Sequence, residues 1–297
     1  MKLAGYGEDR LVRDLTQQLA RGSNVRVGIG DDCAAIGSKT AACWQLLKTD
    51  CIIEGVHFLK NASPRKVGWK ALARPLSDIA AMGGIPECAL ITIAAPPGME
   101  VAWLKQFYAG MQSIARKFKV TIAGGETARS PGPFFCSVAL TGAVEKSRCI
   151  TRAGGQSGDA LYVTGRLGGS IAGKHLTFTP RIAEARWLTQ NFKPNAMMDL
   201  SDGLGSDLPR LAQASNCGFM VYEEKIPVTK GCTTQNALAD GEDYELLFAI
   251  PAHDAKRLES AWKKKFPKLP LTRIGELFSN RKLQIANRKS HGFDHYA

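Results

Sequence analysis

The stretch PRKVGWKALARPLSDIAAMG, residues 64–83, has the pattern of an α-helix that is apolar on nearly every side. Pro64 suits its first turn, and Gly83 follows its last one. Three basic residues recur every four positions and predict one solvent-exposed stripe: Lys66, Lys70 and Arg74. Asp78 continues this series but is rotated by about 120° from its first member, toward the apolar side. A carboxylate predicted to face the interior needs an explanation.

Strand and helix patterns alternate on both sides of this stretch. Period-2 apolar patterns predict strands at 24–30, 44–50, 87–96, 119–127 and 133–144, and at 160–165, 195–200, 244–251 and 272–277. A glycine pair at 124–125 predicts a turn at the end of the strand 119–127. Helices are predicted at 100–118, around 181–190 and after residue 203. The polar stretch 145–159 is the best boundary, so we expect two α/β domains (α+β type), 1–147 and 148–297.

Composition limits the classes of protein that this chain can be. Of its 297 residues 44% are apolar and 22% are charged. This apolar fraction is enough to form a sizeable core that does not depend on disulfide bonds. No apolar run approaches the roughly 20 residues that span a bilayer. The N-terminus lacks the apolar segment of a signal peptide, and the eight cysteines form no C-x-x-C pair. We therefore expect a cytoplasmic protein without a membrane partner.

The formal net charge is +12, but the basic residues are spread along the chain. A solvated basic surface explains this distribution, and such a surface also attracts small polyanions such as ATP. A basic nucleic-acid-binding module without catalysis is an alternative, although the sequence contains no recognised nucleic-acid-binding motif. We expect no nucleic-acid partner.

Acidic residues repeatedly follow apolar strands, where α/β folds assemble their sites. In addition to Asp78 they are Asp31, Asp32, Asp50, Glu126, Asp199, Asp202 and Asp207. Each has an ordinary explanation as a turn or helix-capping residue. If they converge, however, two carboxylates 4 Å apart repel by about 4 kcal/mol at an effective dielectric constant near 20. Oxygen ligands favour Mg²⁺, which is usually shared with phosphate oxygens, so the pattern indicates a phosphate substrate.

Other motifs for catalysis are missing or incomplete. Residues 168–175, GGSIAGKH, nearly match a P-loop but have His175 in place of the metal-binding Ser or Thr. A glycine-lined turn that leads into a helix is the better interpretation. No G-x-S-x-G or H-E-x-x-H motif occurs, although a cysteine–histidine pair stays open. Many carboxylates and few bases suit phosphoryl transfer to an acceptor that is already ionised.

Seven motifs, in this order, resemble those of the thiamine-monophosphate kinases, which share a superfamily with aminoimidazole ribonucleotide synthetase. They are GIGDDCAAI, KTDCIIEGVHF, WKALARPLSDIAAMGG, IAGGETARSPG, TRAGGQSGDALYVTG, MDLSDGLGSDL and DGEDYELLF, and the terminal GFDHY is also similar. The resemblance implies a two-domain fold whose N-terminal domain pairs in a homodimer. It also implies ATP- and Mg²⁺-dependent phosphorylation of thiamine phosphate to thiamine diphosphate by direct transfer. An alternative is another ATP-dependent member of the superfamily with a different small substrate.

The resemblance also implies roles for individual residues. Its metal-binding positions are Asp32, Thr49, Asp50, Asp78, Asp199 and Asp202, and Glu126 stands where an Asp is usual. Its ATP-binding positions are Gly125, Arg152 and Ser201, to which we add Glu126 and Lys48. Its positions near the thiamine phosphate are His57, Glu242 and Phe293.

The chain departs from the family pattern at Glu126, at Asp240, which replaces a glycine, and at Lys48, where some members have a metal-binding hydroxyl residue. Lys48 and Asp50 lie two positions apart in a strand and so point the same way. We therefore expect that the Lys48 ammonium replaces one Mg²⁺ against the acids or the nucleotide phosphates. The alternatives are a lysine that points to solvent and, from the departures together, a member that binds its ligands but turns over poorly.

Overall fold

The computed structural model describes residue 3, residues 6–20, 22–38 and 40–279, and the backbone of 284–285. Each half of this described part contains one six-stranded sheet. The first sheet has the order β1-β2-β3-β6-β4-β5. Its strands are β1 (Val25–Val27), β2 (Ala34–Ile36), β3 (Cys43–Ile53), β4 (Ile85–Ala95), β5 (Thr121–Arg129) and β6 (Phe135–Glu145). Neighbouring strands are antiparallel except β4 and β5, which are parallel.

The two faces of the first sheet differ. One face, called the inner face below, carries buried side chains such as Leu46, Ile91 and Val138, which pack against helices. The helices of this half are α1 (Glu8–Thr16), α2 (Pro64–Ala81) and α3 (Val101–Phe118). The opposite, outer face exposes Leu47 and Leu90. Alternation along each strand puts successive side chains on opposite faces, which fixes the face that each residue uses.

The second sheet has the order β12-β9-β11-β7-β10-β8. Its strands are β7 (Asp159–Thr164), β8 (Ala196–Asp199), β9 (Gly218–Val221), β10 (Leu246–Pro251), β11 (Leu271–Phe278) and β12 (Gln284–Ile285). Its helices are α4 (Ile182–Asn191), α5 (Leu204–Ala214), α6 (Thr234–Ala239) and α7 (Ala255–Lys265). The central strand β7 is buried along its whole length, as expected of a strand covered on both faces.

Helix α2 joins the two halves. Leu72, Leu76 and Ile79 belong to the core of the first half, whereas Ala80 packs in a cluster with Tyr162 and Phe248 of the second sheet. Burial on several sides explains why this helix is apolar nearly all round. The few polar residues that it does bury therefore lie between the two halves of the molecule.

Most predicted elements are present with their boundaries shifted by a few residues, but three details are wrong. Ile29 is 56% exposed, and β1 ends before it. Strand β5 continues through Gly124 and Gly125 without a turn. The predicted exposed stripe of α2 is exposed only at Lys66, because Lys70 is completely buried and Arg74 is half-buried.

The glycines at 168 and 169 lead into a helix, as predicted, and this helix is a short 3₁₀ helix, Ser170–Ala172, followed by a second one, Lys174–Leu176.

Two other expectations concern the chain as a whole. The division at residues 147 and 148 stays a prediction. Among the described helices, none is both long enough and apolar enough to cross a membrane.

A close contact between α2 and α3 gives a test of the fold. A Cβ added at Gly68 would lie 1.9 Å from the backbone oxygen of Phe107, whereas one added at Gly98 would meet nothing within 4 Å. Because α3 would have to move, we expect Gly68→Ala to destabilise the protein by about 1–3 kcal/mol. Gly98→Ala should stay within about 0.5 kcal/mol of wild type. Calorimetric melting measures both, and equal melting temperatures for the two variants would contradict this packing.

Candidate active site

Three buried carboxylates from different parts of the chain meet between the two halves. Asp32 precedes β2, Asp78 lies in the last turn of α2, and Asp199 ends β8. One oxygen atom of each lies within 4.8 Å of the others, and we call these residues the acidic cluster. All three were predicted from the sequence as metal ligands, and the fold brings them together.

Two basic side chains partly neutralise this cluster. The Lys48 ammonium lies 2.7 Å from Asp78 Oδ1, and the Arg152 guanidinium donates to Asp32 Oδ1 through Nε (3.1 Å) and Nη2 (2.5 Å). Asp32 Oδ2 is buried and has no hydrogen-bond partner among the described residues. Asp199 forms no ion pair with a described Lys or Arg. Asp32 Oδ2 and the carboxylate of Asp199, which lacks a cationic partner, are therefore left for another cation.

The pKa values reflect this shortage of positive charge. Burial, followed by the charge of Asp32, raises the pKa of Asp199 to about 7. Burial also raises the pKa of Asp78, although Lys48 opposes the shift. Carboxylates at this spacing repel by several kcal/mol, and a divalent cation would remove that cost. A set of oxygen ligands with an unpartnered buried oxygen fits Mg²⁺.

Asp50 extends the site along the inner face of the first sheet. Arg74 of α2 lies 3.4 Å from Asp50 Oδ1 and also donates to the Cys51 carbonyl oxygen. Asp50 also contributes to the raised pKa of Asp78, which places it near the acidic cluster. The predicted ligand Asp50 therefore joins the acids, with a guanidinium as its present partner.

A second buried cluster, here called the lysine cluster, lies about two turns before Asp78 along α2. The Lys70 ammonium is 2.7 Å from Glu242 Oε2 and 2.8 Å from His175 Nδ1, and it donates to the His57 carbonyl oxygen at 2.6 Å. Burial lowers the pKa of Lys70 to about 8. Burial would raise the pKa of Glu242, but hydrogen bonding from His175 and the charge of Lys70 hold it at about 2. His57 and Glu242, predicted near the acceptor, are thus brought together.

The loop that carries Glu242 has a strained backbone. Glu242 and Tyr244 have φ values of 55° and 50°, a conformation that costs non-glycine residues about 1–2 kcal/mol each. Contacts on both sides hold it: Glu242 N donates to the Ser201 carbonyl oxygen (2.7 Å), and Tyr244 stacks on Phe178 with ring centroids 4.0 Å apart. Strain of this kind often accompanies functional sites.

The structure does not bring all the predicted site residues together. Thr49 pairs with Ala139 of β6 and points to the outer face, away from Lys48 and Asp50. Glu126 lies on exposed strand β5, where its carboxylate accepts a hydrogen bond only from the Thr127 backbone among the described residues. Gly125 is in register with Asp50 across the sheet, through Val138 and Ile91, but it lies three strands away on β5. Alternation along a strand explains why Thr49 and Asp50 separate.

The remaining predicted residues have other surroundings. Asp202 pairs with Arg210, which also binds Asp207 at 3.0 Å, so Asp202 lies beside the acidic cluster rather than in it. Ser201 is half-buried next to Glu242. Phe293 lies outside the described residues.

Sequence reasoning missed Lys70, Arg74 and His175 as members of the site. For Lys70 and Arg74 the available signal was their i, i+4 spacing on α2, but the same spacing is typical of an exposed stripe. The near-P-loop drew attention to His175 for the wrong reason, the missing hydroxyl group. Together with Ser77 and Asp78, which are buried like Lys70, the half-buried Arg74 completes a line on one side of α2. We call this line the polar stripe, and it spans about 12 Å at 1.5 Å per residue.

Known proteins share this architecture and these sequence motifs. The family models "AIR synthase related protein, N-terminal domain" and "C-terminal domain" match residues 30–144 and 152–286. The chain therefore belongs to the AIR synthase related proteins, a class with two α/β domains.

Relatives within this class define the family more narrowly. The thiamine-monophosphate kinase of Rhodopirellula baltica is 37% identical over 284 residues, which cover 90% of this chain and 87% of that protein. That of Escherichia coli K12 is 32% identical and covers 92% and 93%. A solved structure, "AaThiL complexed with AMPPCP and TMP", has a TM-score of 0.85 at 31% identity and covers 99% of both chains. This chain is a member of the thiamine-monophosphate kinase family.

The lysine cluster predicts a large effect on stability. Lys70→Met keeps the length of the side chain but leaves the buried Glu242 carboxylate without its ammonium partner. Removal of one partner from a buried ion pair typically costs about 3–5 kcal/mol, and we expect a loss of that size. Lys60, which is exposed, serves as the matched control, and Lys60→Met should change stability by less than about 0.5 kcal/mol. Urea unfolding at pH 7 compares the two, and losses of equal size would contradict the assignment.

Proposed function

We propose that this protein phosphorylates thiamine phosphate to thiamine diphosphate with ATP as the phosphoryl donor. The observation that carries the proposal is the acidic cluster, in which three buried carboxylates with an unpartnered oxygen lie beside the guanidinium of Arg152. Full-length similarity to kinases named for thiamine monophosphate supports the choice of substrate. The similar structure with AMPPCP and TMP supports the use of a nucleotide together with a thiamine phosphate.

Asp32 and Asp199 would hold Mg²⁺, and Asp78, which is paired with Lys48, lies beside them, with Asp50 nearby. When bound, Mg²⁺ supplies positive charge that screens the phosphate oxygens during transfer. The family positions Arg152, Ser201 and Gly125 are proposed to contact ATP, and Arg152 offers a cation at the edge of the cluster. Roles for Thr49, Glu126, Asp202 and Phe293 stay predictions.

The polar stripe is proposed to place the acceptor. A phosphate acceptor is already ionised at neutral pH, so it requires positive charge and alignment rather than a base. Lys70 and Arg74 supply two cations between Glu242 at one end and the acidic cluster at the other. His57 and Glu242 lie beside Lys70, in agreement with their predicted place near thiamine phosphate. We therefore propose direct transfer from ATP to the acceptor phosphate.

Thiamine diphosphate formation tests this function. The purified protein with ATP, Mg²⁺ and thiamine phosphate should produce thiamine diphosphate, detected by chromatography. Asp199→Asn should lower the rate by at least about 100-fold, because it removes charge stabilisation at the transferred group. Glu224→Gln, at an exposed acid, should leave the rate unchanged. ATP hydrolysis without thiamine diphosphate would indicate a different acceptor, and no ATP turnover at all would exclude the kinase assignment.

We also propose that the outer face of the first sheet pairs with that of a second copy. Leu47, Ile85 and Leu90 are 37%, 48% and 52% exposed there, on strands β3 and β4, which flank β6. Exposed apolar patches of this kind commonly mark interfaces. The cytoplasmic location stays a prediction, as does the absence of a nucleic-acid partner.

A charge on this face should break the proposed dimer. Leu90→Asp would place a carboxylate in the apolar interface, and we expect a monomer by size-exclusion chromatography with light scattering. Val101 is similarly exposed (65%) but lies at the start of α3, so Val101→Asp should leave the dimer intact. A wild-type monomer, or a dimer in both variants, would refute pairing through this face.

A further inference from the structure

Lys48 is directed into the acidic cluster. It lies on β3, and its side chain points to the inner face, as does that of Asp50 two residues later. Its ammonium is 2.7 Å from Asp78 Oδ1, and the side chains of Lys48 and Asp78 are only 21% and 9% exposed. The alternative of a lysine that points to solvent is therefore wrong.

The charges around Lys48 are nearly balanced within the chain. Asp78 pairs with Lys48, Asp50 with Arg74, and Asp32 with Arg152. Asp199 is the fourth carboxylate, and its recorded polar partner is the Ser77 hydroxyl rather than a cation. These four carboxylates thus face three side-chain cations, and Asp31, which accepts from the Arg152 backbone, adds a fifth carboxylate next to Asp32. The three cations offset part of the charge that divalent ions would offset in a purely acidic site.

The ligand atoms without a cationic partner among the described residues belong to Asp32 and Asp199. Asp32 Oδ2 is buried without a hydrogen-bond partner among the described residues, and Asp199 has no cationic partner there. Asp78, in contrast, is already bound by the ammonium.

We propose that the Lys48 ammonium permanently occupies the Asp78 side of the acidic cluster, so that this chain binds one divalent cation fewer there than the same site without a lysine. The remaining ion is held between Asp32 and Asp199. The inference rests on the proposed function only in that the acidic cluster binds divalent cations. Lys48 acts in it as a positioning residue that holds Asp78 and sets the number of ions.

Counting bound Mn²⁺ tests the proposal without any substrate. Loss of the free-ion signal in electron paramagnetic resonance, during titration of the whole protein, gives the number of ions per chain. Lys48→Met retains the packing of the stem but frees Asp78, and it should bind one Mn²⁺ more than wild type. Lys105→Met removes an exposed lysine of α3 and should bind the wild-type number, which controls for the overall change in charge.

A double variant separates ion replacement from a purely structural role. Lys48→Met combined with Asp78→Asn removes both the ammonium and the carboxylate that it frees, so the count should return to the wild-type number. In melting experiments, added Mg²⁺ should raise the melting temperature of Lys48→Met more than that of wild type. An unchanged Mn²⁺ count in Lys48→Met would overturn the proposal, as would an extra ion that persists in the double variant. Neither result depends on whether thiamine phosphate is the acceptor.

Discussion

The structure depends on the burial of charged groups along one side of α2. Desolvation of an ion costs several kcal/mol, so each buried charge of this helix requires a partner from elsewhere in the chain. Lys70 forms an ion pair with Glu242, Arg74 with Asp50, and Asp78 with Lys48. Glu242 comes from the second half of the chain, and the other two partners come from β3. These pairings therefore fix the register of β3 and of the second half relative to one helix.

The same arrangement explains why the site lies between the halves. The apolar sides of α2 pack on both cores, and the polar stripe pairs with side chains of both halves. Asp32 and Asp199 lie near the Asp78 end of this stripe, while Glu242 of the strained loop lies at its Lys70 end. Neither half alone carries a complete set of acids and bases. Chemistry that needs both a metal-binding end and an acceptor end thus requires the assembled molecule.

The sequence predicted the elements well because apolar periodicity reports burial directly. Its pattern of carboxylates after apolar elements included Asp32, Asp78 and Asp199, and the family resemblance assigned these three, among others, to metal binding. It could not tell an exposed basic stripe from a buried one, because the i, i+4 spacing of Lys70 and Arg74 is the same in both cases. Thr49 and Glu126 failed to join the cluster for a geometric reason: the face of a strand residue depends on register, which a motif does not record.

The left-handed backbone at Glu242 and Tyr244 limits which substitutions the loop can accept. Glycine at 242 or 244 would relieve about 1–2 kcal/mol of backbone strain. Each such exchange, however, deletes either the carboxylate that holds Lys70 or the ring that covers Phe178. Because either loss costs about 3–5 kcal/mol, a screen for heat resistance would reject glycine here and keep the strained backbone.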